Sequence, residues 1–238
     1  MRVVLTKKRW VVLWILTLLS FIFRIVTANK DVTYPDSALY LSFTKAILKG
    51  QFYFDFKEGA KTILPPLYSL LNAVFYFLFE NTEASAVFVS ALSGALLIIP
   101  VFYLAKNVYN ENAAWVSSVL VFFSPILIHW SGAMLTESLF ITLFISGIVL
   151  GGYAIDTKKK VFFLLTGVLI GLSYLTRIIG IVTFPVLILW IMFSLIRSFR
   201  TGSLVQGSSD KSINYKPELD FRAIFTVFLL VFIGFKSS

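Results

Sequence analysis

Long apolar runs dominate this sequence of 238 residues and limit what it can fold into. A helix needs about 20 apolar residues to cross about 30 Å of hydrocarbon. With 58% hydrophobic and 14% charged residues, the chain falls well short of the roughly 25% charged residues that are typical of soluble domains. We therefore predict an integral, multi-pass membrane protein of the all-α class, a polytopic helix bundle. The candidate runs are residues 10–28, 62–79, 84–105, 113–136, 138–155, 161–176, 178–196 and 223–235.

The formal net charge of +9 comes from basic residues between the apolar runs. Basic residues in that position orient a membrane protein with its positive segments inside, so we predict no nucleic-acid partner. Lys7, Lys8 and Arg9 precede the first run and place the N-terminus in the cytoplasm. Arg24 and the lack of a small-residue cleavage site favour an uncleaved anchor over a signal peptide. The sequence has no cysteine, which excludes disulfides, thiolate catalysis and zinc-thiolate sites within it.

Orientation also identifies one run that does not span. The basic cluster 158–160 should be cytoplasmic, so an even number of passes must separate it from Lys7. Five runs lie between them, and residues 62–79 are the best candidate for a helix that lies on the membrane or dips into it. This run begins with Pro65 and Pro66, which cannot continue a helix from upstream. Charged residues flank it on both sides.

The resulting prediction has about seven transmembrane helices in a single domain over residues 1–238. Residues 161–196 would form a helix of roughly 54 Å at about 1.5 Å per residue, so they are read as two passes with Arg177 at an outer turn. The first outer loop, residues 29–83, holds two juxtamembrane helices. Residues 197–222 are rich in Gly, Ser and Lys and are interpreted as a cytoplasmic linker. The last span is short, and the domain is expected to be truncated.

The first outer loop carries the most informative polar residues. Pro35 ends an extended entry, Asp36 or Ser37 can cap a helix, and Gly50 is suited to end it. Asp36 and Tyr40 are four residues apart and share a helical face. Two interpretations of Asp36 remain open, a helix N-cap or a general base at a membrane-facing cavity. The apolar face predicted for this helix consists of Leu39, Phe43, Ala46 and Ile47.

Three further residues lie at the predicted outer boundary. A carboxylate at membrane depth, such as Glu137, suggests function, although it could also begin a span or reach the interface. His129, beside Trp130, could belong to an aromatic belt or to the site. The planar donors of Arg177 suit a phosphate, and the alternatives are ordinary lipid phosphates or a pair with Glu137.

No nucleotide-binding loop or metalloprotease motif is present, which favours a donor that carries its own activated bond in the membrane. Five motifs then occur in a familiar order: Asp36-Ser-Ala-Leu-Tyr40 with Lys49-Gly50, Leu64-Pro-Pro-Leu-Tyr68, Ser90-Ala-Leu-Ser-Gly, Leu135-Thr-Glu137 and Gly171-Leu-Ser-Tyr-Leu-Thr-Arg177. In this order the chain resembles the GT-C glycosyltransferases of the dolichyl-phosphate-mannose-protein mannosyltransferase type, which include bacterial aminoarabinose transferases that act on lipid A.

The resemblance implies transfer of a sugar from a polyprenyl-phosphate donor to a protein, lipid or glycan acceptor at the outer face of the membrane. It implies catalytic roles for Asp36 and Glu137 and contact with substrate for Tyr40, Tyr68 and Arg177. Pro65, Pro66 and His129 are further candidates for contact with substrate. The Pro65-Pro66 segment corresponds to the family's juxtamembrane helix, although many relatives carry a polar residue where this chain has Leu64. Relatives are usually about twice as long, so the chain is expected to be the front part of a longer enzyme of the plasma membrane.

Cofactor use is left open, since a divalent cation shared by Asp36 and Glu137 is compatible with two carboxylates but not required by them. The competing prediction is a multispan protein without enzymatic activity, such as a lipid-linked sugar transporter or an assembly subunit. Pro100, Pro125 and Pro185 lie inside apolar runs and keep that alternative open. The spans carry almost no charge and the polar residues gather on one side, which favours surface chemistry on a lipid head group.

Overall fold

The computed structural model describes residues 7–28, 34–50 and 64–178, and all regular secondary structure within these ranges is helical. The fold class predicted from the sequence is therefore confirmed for the described part. The predicted spans over residues 178–196 and 223–235, the linker 197–222 and Pro185 lie outside it, apart from Ile178. In chain order the helices are α1 (Lys7–Thr27), α2 (Pro35–Leu48), α3 (Leu67–Phe79), α4 (Thr82–Leu96), α5 (Ile98–Val108), α6 (Glu111–Phe123), α7 (Pro125–Gly132), α8 (Glu137–Thr157) and α9 (Lys160–Thr176).

Three helical segments among the described residues are long and apolar enough to cross a membrane: α1, the combined α4 and α5 over Thr82–Val108, and α8. They match the predicted runs at 10–28, 84–105 and 138–155. The two shorter apolar helices are α3 and α9, with 13 and 17 residues. The length of α3 agrees with the prediction that the Pro65-Pro66 segment does not span, and α9 ends at Thr176, where the predicted turn at Arg177 begins.

The predicted span over residues 113–136 is wrong as a single continuous helix. It is divided into α6 and α7, which are bent by 51° at Ser124. Pro125 causes the break, because its ring excludes the backbone hydrogen bond to the residue four positions earlier and clashes with the preceding turn. That earlier residue is Val121, whose carbonyl loses its helical partner. The pair counts as one span only if a bent helix crosses the membrane.

Arg24 takes the place of the missing donor. Its side chain is fully buried in α1, and Nη2 donates to the carbonyl of Val121 at 3.0 Å. Nη1 donates to the carbonyl of Leu127 and to Oγ of Ser131, both at 2.6 Å, and Nε donates to Ser20. A charged residue inside a bundle is costly unless its donors are used. Here it stabilises the break in the neighbouring helix by supplying the bond that Pro125 cannot make.

Gly94 of α4 leaves the space that this arrangement needs. A Cβ at this position would lie 2.1 Å from Ser131 Oγ and 3.2 Å from Arg24 Nη1. If Ser131 Oγ or Arg24 Nη1 moved away, the hydrogen bond between them or that from Ser131 to the Leu127 carbonyl would be lost. Helices α1, α4, α6 and α7 are thus joined at one polar point inside the bundle.

The pairing of Arg24 with the proline break is testable by a double-mutant cycle. We expect Arg24→Met to destabilise the fold by about 1–3 kcal/mol, because it leaves the Val121 carbonyl buried and unpaired. In a Pro125→Ala background the cost should fall by about 1 kcal/mol or more, because the alanine introduced there has an N–H that can donate to that carbonyl. Equilibrium unfolding in detergent measures both. A Pro100→Ala background is the matched control, and additive effects in the Pro125→Ala background would contradict the account.

The first helix of the predicted outer loop forms, with a different start and a rotated face. Pro35 is the first helical residue of α2 and Tyr34 is the N-cap, without a side-chain cap. The prediction that Asp36 or Ser37 caps the helix is therefore wrong, since the preset φ of proline lets the helix begin two or three residues earlier, with Tyr34 as the N-cap. Of the predicted apolar face, Phe43 and Ala46 are buried as expected, while Leu39 and Ile47 are not. The buried residues of α2 are Ser37, Tyr40, Leu41, Phe43, Thr44 and Ala46. Gly50 ends the helix as predicted, with φ +76° and its N–H donating to Ile47.

Two groups of buried side chains form the core of the described part. One joins α1, α5, α6, α8 and α9 around Phe102 and Ile145. The other brings α2, α3, α4 and the start of α8 together around Tyr40, Tyr68 and Met134. The second group lies where α8 begins and α9 ends. It positions the polar residues described next.

Candidate active site

Tyr40 of α2 is the residue around which the predicted site residues gather. Its ring packs edge to face on the ring of Tyr68, with centroids 5.5 Å apart. The charges of Arg177, Asp36 and Glu137 all affect the pKa of its hydroxyl, and so does the nearby Thr136 side chain. Five of the predicted site residues, taken from α2, α3, α8 and the end of α9, are thus neighbours in the fold. Asp36 and Glu137, which are far apart in the sequence, therefore both affect the pKa of this one hydroxyl, from α2 and α8.

Asp36 lies in the first turn of α2 and is exposed. Because the cap position belongs to Tyr34, the carboxylate is not used in capping. No hydrogen bond to it occurs within residues 7–28, 34–50 and 64–178. A negative charge in the first turn is favoured by the helix dipole. The interpretation of Asp36 as an N-cap is excluded, and a carboxylate available to a ligand remains.

Ser37, beside Asp36, fixes the start of α2. Its buried hydroxyl donates to the carbonyl of Ala133 at 2.7 Å, in the turn before α8. From the same helix, the carbonyl of Tyr40 accepts a hydrogen bond from the Ser69 hydroxyl at 3.1 Å. These bonds hold α2 against both α3 and the turn at 133–136. The position of Asp36 relative to Glu137 is therefore set by the backbone and not by the carboxylates themselves.

Glu137 begins α8 and pairs with Arg177, the residue that follows α9. Nη1 of Arg177 donates to Oε1 of Glu137, which was one of the alternatives predicted for this arginine. The side chains are 19% and 35% exposed, so the pair is accessible from one side. The second carboxylate oxygen, Oε2, is buried and has no hydrogen-bond partner in the described part of the chain. The pair leaves Oε2 unsatisfied, and within the described residues the other guanidinium nitrogens of Arg177 make no hydrogen bond.

Tyr68 of α3 is fully buried and connects α3 to α4. Its hydroxyl lies 2.7 Å from Ser90 Oγ, and Ser90 in turn donates to the carbonyl of Leu135 at 3.2 Å. Asn72, one turn further along α3, is also fully buried. A side-chain hydrogen bond with Asn72 lowers the pKa of the Tyr68 hydroxyl, although the geometry between the two side chains is looser than that of an ordinary hydrogen bond.

The turn that precedes α8 holds a backbone conformation that side chains rarely adopt. Met134 has φ +55° and is fully buried, and its neighbours Ala133, Leu135 and Thr136 are buried as well. Such a conformation in a residue other than glycine costs about 1–3 kcal/mol and is concentrated at functional sites. Here the turn directs two carbonyls, those of Ala133 and Leu135, at Ser37 and Ser90. It orients Glu137 at the start of the helix that follows.

Burial raises the pKa of Tyr40, and smaller effects from the Thr136 hydrogen bond and the Arg177 charge lower it. Burial raises the pKa of Tyr68 more strongly, and the hydrogen bond with Ser90 opposes this only in part. Both pKa values lie above the ordinary phenol value of about 10, so both hydroxyls are neutral at physiological pH. They can donate hydrogen bonds to a ligand or to the backbone, and neither can act as a base.

The remaining predicted residues lie beside the cluster. His129 of α7 is exposed and its Nε2 is 2.7 Å from the hydroxyl of Tyr34, the residue before α2. Its ring also contacts Trp130, as an aromatic belt would predict. Pro65 and Pro66 are half-buried and precede α3, and the Pro66 carbonyl accepts the N–H of Leu70. They determine where α3 begins and supply no side-chain polar group.

Sequence patterns missed several residues that build this site. Ser37, Ser90 and Asn72 are polar residues on helices, and their burial depends on packing that no local pattern reveals. Met134 carries no glycine-like signal for its positive φ. Of these, only Asn72 offered a clue, as the one amide inside the apolar run 62–79. Within the described residues no three His, Asp or Glu side chains gather as metal ligands, and Asp36 and Glu137 would supply two.

Comparison with known proteins gives one family. The model of the dolichyl-phosphate-mannose-protein mannosyltransferase family matches residues 64–206, more than half of the chain. The matched range holds Pro65, Tyr68, His129, Glu137 and Arg177, while α2 with Asp36 precedes it. Neither the search of curated proteins nor that of solved structures gave a match. This match, together with the apolar helices, shows that the chain is an integral membrane protein of the dolichyl-phosphate-mannose-protein mannosyltransferase family.

Proposed function

We propose that this protein transfers a sugar from a polyprenyl-phosphate donor to an acceptor nucleophile at the outer face of the membrane. The observation that carries the proposal is the Glu137–Arg177 pair at one end of the bundle, whose charges, together with that of Asp36, act on the hydroxyl of Tyr40. The cluster combines an exposed carboxylate with a guanidinium whose pairing uses only part of its donors. These are the groups that displacement of a phosphate from a sugar requires.

The proposed step is an inverting displacement at the anomeric carbon. The acceptor hydroxyl attacks that carbon while its proton passes to the Asp36 carboxylate. The bond between the anomeric carbon and the phosphate oxygen breaks, and its electron pair leaves with the polyprenyl phosphate. Asp36 then returns the proton to solvent, to which it is exposed. Charge builds on the departing phosphate, and positively charged donors at that position stabilise the transition state.

We assign to Arg177 the binding of the donor's phosphate. Its planar donors match phosphate oxygens, and pairing with Glu137 uses only part of them. Glu137 holds the guanidinium in place through Oε1 and can accept a hydroxyl of the sugar or acceptor at Oε2. Tyr40 lies between these charges with a neutral hydroxyl. The groups named here complete the step, and a cation shared by Asp36 and Glu137 stays a prediction.

A transporter would place its ligand at a broken helix near the middle of the membrane. The broken pair α6 and α7 is the one such feature in the described part of the chain. The Val121 carbonyl that the break frees accepts a hydrogen bond from Arg24, which is fully buried. That carbonyl is therefore occupied and does not offer a ligand site. This supports the enzyme over the transporter. The outer face is proposed from the distribution of basic residues in the sequence, and the plasma membrane from the family resemblance alone.

A comparison of donor classes tests this function. The full-length protein in detergent with phospholipid is given a labelled sugar on polyprenyl phosphate or on a nucleotide, with peptide, lipid and glycan acceptors. We expect transfer from the polyprenyl phosphate alone, because no nucleotide-binding motif is present. Transfer from the nucleotide sugar, with none from the polyprenyl phosphate, would contradict the proposal.

A further inference from the structure

Two hydrogen bonds hold α2 on either side of Asp36. Two residues before it, the hydroxyl of Tyr34 lies 2.7 Å from Nε2 of His129, and the two rings meet edge to face with centroids 5.9 Å apart. One residue after it, the buried hydroxyl of Ser37 donates to the carbonyl of Ala133 at 2.7 Å. The backbone of Asp36 is thus anchored on both sides by bonds that do not involve its carboxylate.

Both anchors come from one short helix, α7. His129 lies within it and Ala133 is its C-cap residue. Helix α7 is in turn fixed to α1, because Arg24 donates to the Leu127 carbonyl and to Oγ of Ser131, both at 2.6 Å. These two acceptors lie two residues before and two residues after His129, so the backbone that carries its ring is held at both ends. The break between α6 and α7 therefore produces a separate helix that is fixed by the bundle interior and contacts the start of α2.

Pro35 links the first anchor to Asp36. Tyr34 is the N-cap of α2, Pro35 is the first helical residue, and Asp36 follows in the first turn. The proline ring fixes φ at about −65°, so the backbone between Tyr34 and Asp36 has little freedom. The N–H of Ala38 also donates to the Tyr34 carbonyl at 3.3 Å. A shift of the Tyr34 ring against α7 would therefore move the first turn of α2, and the carboxylate with it.

We infer that His129 is a positioning residue, which through its bond to Tyr34 holds the first turn of α2 so that Asp36 meets the acceptor in a reactive geometry. This inference rests on the proposed function, and it gives His129 a role other than contact with substrate. Placement matters because a misplacement of about 1 Å can slow a reaction by about 100-fold. Loss of one neutral hydrogen bond corresponds to about three- to tenfold, which sets the size of the expected effect.

His129→Leu and Tyr34→Phe each remove one side of this bond. In the full-length protein we expect each to lower kcat about three- to tenfold, and the double variant to be no slower than the slower single variant. The KM for the polyprenyl-phosphate sugar should stay within about twofold, because no group that binds the donor is changed. The thermal unfolding temperature should change little, since His129 is exposed. Tyr109→Phe is the matched control, which removes an exposed tyrosine hydroxyl at the end of α5 and should leave kcat unchanged.

His129→Gln tests whether the hydrogen bond itself is what matters. The glutamine amide can donate to the tyrosine hydroxyl or accept from it, and its terminal atoms are as many bonds from the backbone as Nε2 of histidine. We therefore expect His129→Gln to retain most of the wild-type kcat. In a Tyr34→Phe background, His129→Gln should recover none of the kcat that Tyr34→Phe loses.

An Asp36→Asn background gives the decisive measurement. If His129 acts through Asp36, His129→Leu slows the otherwise wild-type protein but causes no further loss of single-turnover rate in Asp36→Asn. An equal loss in both backgrounds, a raised KM at unchanged kcat, or single variants within about twofold of the Tyr109→Phe rate would overturn the inference. Failure of the wild type to use any polyprenyl-phosphate sugar would instead overturn the proposed function, and the assay reports the two separately.

Discussion

Replacing Asp36 with asparagine is expected to slow sugar transfer by about 100- to 10,000-fold, the range that a general base contributes. Asparagine keeps the shape of the side chain but cannot accept the acceptor's proton. The fold should tolerate the change, because the residue is exposed and the N-cap of α2 is Tyr34. Initial rates with the lipid-linked donor, beside the thermal unfolding temperature of the same preparation, measure both effects.

Glu83→Gln is the matched control for this substitution. Glu83 is also an exposed carboxylate in the first turn of a helix, α4, so its loss removes the same charge from an equivalent position. Each change should cost a few tenths of a kcal/mol, up to about 1 kcal/mol, through the helix dipole. Only Asp36→Asn should lower the rate. Loss of a general base slows a reaction by about 100-fold or more. If the Asp36→Asn rate lies within about twofold of the Glu83→Gln rate, Asp36 is not the general base.

Replacing Arg177 with methionine is expected to impair both transfer and folding. We expect transfer to fall by about 100- to 1,000-fold, as when one electrostatic donor to the transition state is lost. Stability should fall as well, because Glu137 keeps a partly buried carboxylate without its partner. Breaking a fully buried pair costs about 3–5 kcal/mol, and the exposure of this pair reduces that figure. Unfolding curves and single-turnover rates measure the two effects separately.

The double variant Arg177→Met with Glu137→Gln distinguishes catalysis from structure. Removing both charges should recover most of the lost stability, since no unpaired carboxylate remains, while transfer stays low. Arg9→Met is the control at the other end of the bundle. It breaks the ion pair of Arg9 with Glu111 at 2.6 Å, and the rate should not change. Recovery of transfer together with stability in the double variant would show that Arg177 acts only through the fold.

The apolar runs predicted the helices well because membrane length and hydrophobicity act locally. Four of the runs correspond to the helices α1, α4 with α5, α8 and α9, and the two prolines before α3 mark a helix too short to span. The run at 113–136 was misjudged, because hydrophobicity alone does not report the backbone bond that Pro125 removes. Its consequence, the buried Arg24, looked in the sequence like a charge near the end of a span.

The site residues that could be predicted are the charged ones, because a charged residue is conspicuous in an apolar sequence. Glu137 and Arg177 stand out because nearly all their neighbours are apolar, and the structure pairs them. Asp36 and Tyr40 are neighbours on α2 as their spacing predicted, although Tyr40 is buried and Asp36 is exposed. Asn72 and Met134 were missed, because the burial of an amide and a positive φ both arise from packing between helices.

The most direct test measures on which side of the membrane the sugar is transferred. In sealed vesicles of known orientation, a labelled sugar on polyprenyl phosphate is supplied with a membrane-impermeant acceptor on one side at a time. The account predicts product only when the acceptor is on the side opposite the basic N-terminal segment, and none with Asp36→Asn. Product formed on the side of the N-terminus, or at the wild-type rate by Asp36→Asn, would contradict it.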